Sequence, residues 1–308
     1  MYSIIGSGFG LYGYLPALIL QQNNLVVLPV AYREKLLARQ ELAFTLKKIR
    51  WVPDEDTALA IADTVILATR PASQFDLVRR CLEFPNIRGF ILEKPVSTDP
   101  SVALGLLEEL NQVGAEYAVA YTLEFTSWQP RIIWPTRLDE KVVISWNFMA
   151  HHFTHDLTNW KRKHSQGGGV LRFFGIHIIA MLAQYGYQEV QASVLQGHLG
   201  DEPYRWDAVF LGVSRPPCYV SVNSRSDDHC FLIESGNPNC RVKLLEPFAE
   251  EKGVEFLDRR VPVLARMIDS FETRRQRFSG NAFYTRVNDL WAQAEAYTPS
   301  TVTPTKHS

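Results

Sequence analysis

Hydrophobic positions early in the chain fall into short unbroken runs: Ser3–Ile5, Leu25–Leu28, Thr64–Ala68, Gly89–Leu92 and Tyr117–Ala120. Runs without alternation predict strands buried on both faces, as in a parallel sheet. Between them, apolar residues recur at helical spacing over residues 12–22, over residues 33–47, and through Phe75, Val78 and Leu82. A further helix is expected where Asp99 can cap the first turn and Pro100 suits its first position. Its apolar stripe is Val102, Leu106, Leu107 and Leu110. Strand alternating with helix is the βαβ rhythm of a doubly wound α/β fold.

After about residue 121 the rhythm changes. A strand is expected at Val142–Phe148 and a long helix at Val170–Tyr185. Strand-like runs then follow one another at Val190–Leu195, Ala208–Val213, Tyr219–Val222, Cys230–Glu234 and Arg241–Leu245. Turn-rich segments such as Gly200–Pro203 and Gly236–Asn239 separate them, and successive strands without helices predict an antiparallel sheet. Helical patterns close the chain over 262–277 and 282–297. The fold class is therefore α/β: an N-terminal Rossmann domain with a doubly wound parallel sheet, residues 1–120, and a C-terminal α+β domain with a largely antiparallel open sheet, residues 121–308.

At 308 residues and 46% apolar, the chain can bury the cores of two domains. Lys and Arg number 32 against 33 Asp and Glu, without the basic excess of a nucleic-acid-coating protein. Cys81, Cys218, Cys230 and Cys240 form no CxxC pair and are expected to be reduced thiols of a cytoplasmic protein. No apolar run approaches the length of about 20 residues that spans a bilayer. No basic region precedes the first strand, so no signal peptide is expected. The polar, Pro-punctuated residues 298–308 are expected to fray.

The glycine run Gly6-Ser7-Gly8-Phe9-Gly10-Leu11 follows the first strand and opens the first helix. In a dinucleotide fold the first Gly makes the tight turn and the second admits the pyrophosphate at the helix N-terminus. Gly6 and Gly8 hold those positions. The third falls on Leu11, with Gly10 and Gly13 beside it to supply close approach. The second strand leads to Tyr32, Arg33 and Glu34 with no acid at the usual ribose position. Arg33 suits a 2′-phosphate and Tyr32 an adenine, so NADP is expected, with NAD as the alternative through Glu34. Thr69 and Arg70 follow the third run, at a strand's carboxyl end where such folds bind ligands. The plain reading of each is an ordinary strand-to-helix turn.

His151 and His155 have i, i+4 spacing but no accompanying ligand set, and no metal site is expected. Trp160-Lys161-Arg162-Lys163-His164 is a cationic loop that suits a sugar phosphate or nucleotide sugar, or simply faces solvent. No Gly-x-Ser-x-Gly elbow or Walker loop is present, so acyl and phosphoryl transfer lack support.

Three features together resemble the Gfo/Idh/MocA oxidoreductases, the family of glucose–fructose oxidoreductase and inositol dehydrogenase. They are the glycine turn followed by Leu15-Pro16-Ala17-Leu18, Glu93-Lys94-Pro95 at a strand end, and Gly167-Gly168-Gly169 followed by Gly175-Ile176-His177. The resemblance implies hydride transfer between a nicotinamide and a sugar-like substrate. It implies that Lys94 and His177 are catalytic and that Glu93 and Lys94 lie by the cofactor. It also implies a substrate cleft reached by Tyr121, Trp160, Lys161, Arg172 and His177, and a homodimer or higher oligomer through the open sheet. The chain departs from the pattern at Phe173, where an Asp usually stands four residues before the His. That departure leaves open a family member that binds cofactor as a non-redox sensor or scaffold.

Overall fold

The computed structural model describes residues 1–21, 25–198, 201–236, 240–253, 255–275 and 282–296. The ends expected for three helices (residues 22, 277 and 297), turn residues 200 and 237–239, and the segment 298–308 lie outside the described residues. The chain forms two compact units, residues 1–97, 105–125 and 251–280, and residues 98–104, 126–250 and 281–308.

In the first unit strands and helices alternate: β1 (Tyr2–Ile5), α1 (Leu15–Leu20), β2 (Val26–Pro29), α2 (Arg33–Leu37), β3 (Ile49–Val52), α3 (Glu55–Ile61), β4 (Thr64–Leu67), α4 (Pro71–Leu82), β5 (Gly89–Leu92), α5 (Pro100–Gln112, whose residues 100–104 fall in the second unit) and β6 (Glu116–Val119). The sheet order is β3-β2-β1-β4-β5-β6, and every neighbouring pair is parallel. This is the order of a dinucleotide-binding fold, with its topological switch between β1 and β4. Strands β1, β2, β4 and β5 are buried at all their positions, as their unbroken apolar runs predict. Asp99 Oδ1 accepts from the Ser101 amide at 2.8 Å, the expected cap of α5.

Four elements differ from expectation: α3 is not anticipated by the sequence pattern, the helix expected over 12–22 opens as a π-helical turn, Gly10–Tyr14, ahead of α1, and the other two are β3 and the helix expected over 33–47. β3 reads Ile-Arg-Trp-Val, and its Arg50 is exposed at the sheet edge. A charged edge strand carries no unbroken apolar run. The helix expected over 33–47 is the short α2 followed by a 3₁₀ segment, Gln40–Lys48. There the buried side chains are Leu42 and Thr45, three apart, the spacing of successive 3₁₀ turns rather than of an α-helical stripe.

One face of the sheet packs Ile4, Leu28, Ile66 and Ile91 against Leu15 and Leu18 of α1 and against Leu264, Met267 and Ile268 of α8 (Val261–Arg275). On the other face Val27 and Val52 meet Ala58 and Ala62. Ile5, Leu67, Leu92 and Val119 share one rung of the ladder. The next residues, Gly6, Ala68, Glu93 and Ala120, therefore leave the sheet level with one another. The amides of Ala68, Glu93 and Ala120 close that edge by donating to Ile5, Leu67 and Leu92.

The second unit holds β7 (Val142–Met149), α6 (His151–Thr154), α7 (Ile176–Gln184), β8 (Tyr187–His198), β9 (Glu202–Gly212), β10 (Arg215–Asn223), β11 (Arg225–Ser235), β12 (Arg241–Leu244) and α9 (Ala282–Ala296). Its sheet order is β12-β11-β7-β10-β9-β8, antiparallel except for the parallel pair β7–β10. β7 alternates buried and half-buried residues, the mark of a sheet covered on one face. The fold class expected from the sequence is the one observed.

In the first unit, Glu124 Oε1 is buried and accepts no hydrogen bond among the described residues. Burial pushes this carboxyl up to about 8, against the opposing pull of the Arg274 charge. The folded state then holds a proton that the unfolded chain releases near 4.5, so stability falls as pH rises between those values. The loss should be on the order of 5 kcal/mol. Chemical denaturation from about pH 4.5 to 8.5 should show the native protein losing this stability relative to Glu124→Gln as pH rises, the His152 contribution being common to both and cancelling in the difference.

Candidate functional site

The glycine turn is built by contact. Gly6 has φ +121°, and a Cβ there would stand 2.2 Å from the Ala68 carbonyl oxygen. Only glycine fits such a position. A Cβ at Gly10 would meet Ile4 Cγ2 at 2.7 Å and Ala68 Cβ at 3.2 Å. Gly10 thus supplies the close helix–strand packing that the fingerprint assigns to its third Gly, and position 11 is free to be Leu. Leu11 itself turns into the core. Around Gly8, by contrast, nothing lies within 4 Å of the point a Cβ would occupy. The turn is open where a ligand backbone approaches.

Side chains from two segments close over this turn. Tyr32 Oη accepts from the Gly6 amide at 3.2 Å, and burial raises its pKa. Lys35 Nζ donates to Ser7 Oγ at 2.6 Å. The Arg260 guanidinium lies 4.1 Å from the Phe9 ring centre. Arg33 is exposed at the start of α2. Lys35 and Arg260 are residues that sequence reasoning missed. Lys35 hid among ordinary helix-surface charges, and Arg260 is far away in sequence.

Thr69, Glu93, Lys94 and Tyr121 follow the carboxyl ends of β4, β5 and β6 along the same edge. Thr69 Oγ1 is buried and finds no partner among the described residues; Arg70 is exposed at the start of α4. Glu93 accepts from Tyr14 Oη at 2.7 Å and from the Lys94 amide at 3.2 Å. Gln74 Nε2 donates to the carbonyls of Glu93 and Pro95, both at 2.9 Å, and so grips the turn from either side of Lys94. The Lys94–Pro95 peptide is cis. Lys94 is half-buried and Tyr121 is buried. An open glycine cradle, an orphaned buried hydroxyl and several cations form a donor set that fits a phosphate-bearing dinucleotide.

In the second unit the expected helix 170–185 begins as a π-helical turn, Val170–Gly175, and continues as α7. Such turns are frequent at functional sites. Phe173 lies in the π turn, and His177 is buried in the first turn of α7. The Phe173 ring stands edge-on to Trp160 with centroids 5.5 Å apart, and Lys161 Nζ is 5.6 Å from its centre. Gly168 lets this loop close: a Cβ there would stand 2.2 Å from the Trp160 carbonyl oxygen.

Arg172 is held away from solvent. Its guanidinium donates to Glu295 Oε1 at 2.7 Å, to the His164 carbonyl at 2.9 Å, and to the Thr98 carbonyl. Glu295 also accepts from His164 Nε2 and Trp291 Nε1, each at 2.9 Å. Burial opposes ionisation of Glu295, but the bonds from His164 and Arg172 outweigh it and hold the carboxyl at about 2. In the basic loop, Glu202 pairs with Arg162 at 2.8 Å and Lys163 at 2.7 Å.

His151 and His155 stack with ring centroids 4.2 Å apart. His152 is buried, and burial with the nearby Lys161 and Arg162 charges pulls it down to about 4. Among the described residues no group of three or more His, Cys, Asp or Glu is arranged to hold a metal ion. No described helix is long and apolar enough to cross a membrane.

The sequence matches no protein-family model and is not significantly similar to any curated protein. Solved structures do share the fold. The WlbA dehydrogenase from Bordetella pertussis, in complex with NADH and UDP-GlcNAcA, has a TM-score of 0.70 at 14% identity over 96% of each chain. A 3-ketoreductase from Actinomadura kijaniata, in complex with NADP and TDP-benzene, has a TM-score of 0.67 at 12% identity, over 98% of this chain and 99% of that one. A super-repressor mutant of Gal80p from Saccharomyces cerevisiae has a TM-score of 0.66 at 12% identity, over 96% and 93%. The fold that the resemblance to the Gfo/Idh/MocA oxidoreductases implies is therefore the fold of this chain.

The depressed Glu295 carboxyl stabilises the fold above pH 4.5, and that stability is lost as pH falls toward 2. Glu295→Gln should lower stability at about pH 7 by about 3 kcal/mol and flatten the acid limb. Thermal and urea melts at about pH 7 and about pH 3.5 measure both. An unchanged acid limb would remove the Arg172–Glu295 pair as its cause.

Proposed function

We propose that the protein is an NAD(P)-dependent oxidoreductase acting on a CH–OH or C=O group of a sugar-like molecule: a sugar, sugar phosphate or nucleotide sugar. The observation that carries this reading is the carboxyl edge of the parallel sheet. There Gly6, Gly8 and Gly10 form a cradle, level with the turn that presents Lys94. The complexes of similar fold with NADH and with NADP support the same reading. On this reading the first unit is the dinucleotide-binding domain and the second binds substrate.

The turn amides at Phe9 and Gly10, where the helix after β1 begins, receive the pyrophosphate. Thr69 Oγ1 offers a further donor beside it, and Arg70 lies next in the chain. The β2–α2 connection, from Tyr32, meets the adenosine ribose. When bound, the nicotinamide supplies or accepts the hydride. Lys94 Nζ hydrogen-bonds the reacting oxygen of the substrate and moves its proton. Glu93, Gln74 and Tyr14 fix the backbone from which Lys94 projects. In the second unit His177 is the second proton-bearing group or a hydrogen-bond partner of substrate, Trp160 and Lys161 are substrate-binding residues, and Arg172 sets the turn that carries Phe173; Tyr121, after β6, is the first unit's substrate-binding residue. The open face of the second sheet, with Val194 and Tyr219 exposed, is the surface for a homodimer.

A second reading is a non-redox sensor or scaffold that keeps the cofactor. Phe173 favours it, because no carboxylate stands one turn before His177, and so does the Gal80p likeness.

Nicotinamide fluorescence should show saturable binding of NADPH or NADH to the native protein. Lys94→Ala should bind the nucleotide within about threefold of native, while turnover on a panel of sugars, sugar phosphates and nucleotide sugars drops by about 10²–10⁴-fold. Nucleotide binding with no turnover across the panel would favour the sensor. No binding by folded protein would remove both readings.

A further inference from the structure

Three cationic side chains rest on alternate parts of one turn. Lys35 lies on Ser7, Arg260 on Phe9, and Arg39 sits 4.8 Å from the Tyr12 ring centre. Two of them also hold a carboxylate: Arg260 pairs with Asp258 at 2.8 Å and Arg39 with Glu41 at 2.9 Å. Lys35 is bound by a neutral hydroxyl, which leaves its charge uncompensated at the mouth of the cradle.

The local geometry explains why Lys35 and not its neighbours reaches the turn. Tyr32 has helical φ and ψ at the entry to α2, so the helical path runs on from it. Residues 32 and 35 are three apart and share a face, since successive side chains rotate by about 100°. Tyr32 is on the Gly6 amide and Lys35 on Ser7 Oγ, so that shared face is the one folded over the turn. Arg33 and Glu34 fall on other sides and are exposed. The two residues that the sequence offers for choosing between NADP and NAD thus start from other sides of the helix, and the Lys35 ammonium is the one that rests on the turn.

We propose that Lys35, together with Ser7, binds the 2′-phosphate of the adenosine ribose and so selects NADP(H); this rests on the dinucleotide reading above. A phosphomonoester dianion exchanges one neutral partner of the ammonium for a charged one, a gain that a ribose hydroxyl does not offer. The pyrophosphate is served separately, by the turn amides at the start of the helix after β1. The 2′ position is read from the region after β2, where Lys35 lies in the first turn of α2.

The test is calorimetric titration of the full-length protein with 2′,5′-ADP, 5′-AMP, NADPH and NADH, in native protein, Lys35→Ala, Ser7→Ala and Arg33→Ala. Native protein should bind 2′,5′-ADP more tightly than 5′-AMP and NADPH more tightly than NADH. Lys35→Ala should weaken the two 2′-phosphorylated ligands about tenfold or more and leave the other two within about twofold. Ser7→Ala should give a smaller loss of the same pattern, and Arg33→Ala should leave all four within about twofold. Lys35 is on the surface, and circular dichroism checks that the variants are folded. A Lys35→Ala protein that keeps its NADPH affinity, a loss confined to Arg33→Ala, or equal affinity for NADPH and NADH in native protein would each overturn the assignment while leaving dinucleotide binding intact. Absence of binding of any of the four by folded native protein would instead remove the parent reading, and the assignment with it.

Discussion

The narrow gap between the glycine turn and the end of β4 sets the geometry of the first unit. One carbon at the Gly6 Cβ position would overlap the Ala68 carbonyl, and one at Gly10 would strike Ile4. Because neither carries a side chain, the chain leaves β1, turns at once and starts its helix directly over the sheet edge. Strands β1, β4, β5 and β6 end on one rung, so the residues after them line up without further adjustment. The unsatisfied amides of the helix start and the strand-end side chains then face the same space. The backbone itself gives that edge its positive field, and the ammonium of Lys35 adds to it, whereas Arg39 and Arg260 are each balanced by a carboxylate.

The second unit uses the same device with different partners. Gly168 lies against the Trp160 carbonyl, Gly169 against Pro203, and Gly175 against the Trp206 ring. These contacts press the loop carrying Trp160 and Lys161 onto the turn carrying Phe173. Arg172 then ties that turn to Glu295 on α9, with Trp291 and His164 sharing the carboxylate. The acid is half-buried and ionised, with three donors around it. A carboxylate so fully used fixes a position in the chain and has little capacity left for a ligand.

Burial decides how far such a chain can be read from its sequence. Buried strands such as Val65–Leu67 and Gly89–Leu92 were legible, because burial on both faces admits only apolar residues. β3 was not, because an edge strand tolerates Arg50 and Trp51. The glycine turn and Lys94 were legible as motifs, since their chemistry is tied to spacing along the chain. Gly10's role was only partly legible: which strand atom it touches depends on the packing of Ala68 and Ile4. Lys35 and Arg260 were hidden, one because a helix-surface lysine is ordinary until a neighbour is known, the other because no local pattern links position 260 to position 9. Arg172 stood out by its place in the motif, and only the fold reveals that its guanidinium is committed to Glu295.

On the reading that the second unit binds substrate, Phe173 changes what that unit can ask of it. A carboxylate beside His177 would accept a hydroxyl proton and penalise strongly any analogue lacking that hydroxyl, because a buried acceptor would go unpaired. An aromatic ring makes no such demand. It discriminates by shape, at roughly 1–3 kcal/mol for a missing or extra methylene. Its edge-on contact with Trp160 and the ammonium of Lys161 nearby give that wall a flat apolar part and a cationic margin. Under the oxidoreductase reading the proton inventory falls to Lys94 and His177, while ring shape and charge replace hydroxyl recognition at the Phe173 side. Substrates that differ by one hydroxyl there should then differ little in kcat/KM, whereas those that differ in bulk against the Trp160–Phe173 wall should separate. The substitution that looks like a loss of catalytic equipment is, on this argument, a transfer of specificity from a hydrogen bond to a surface.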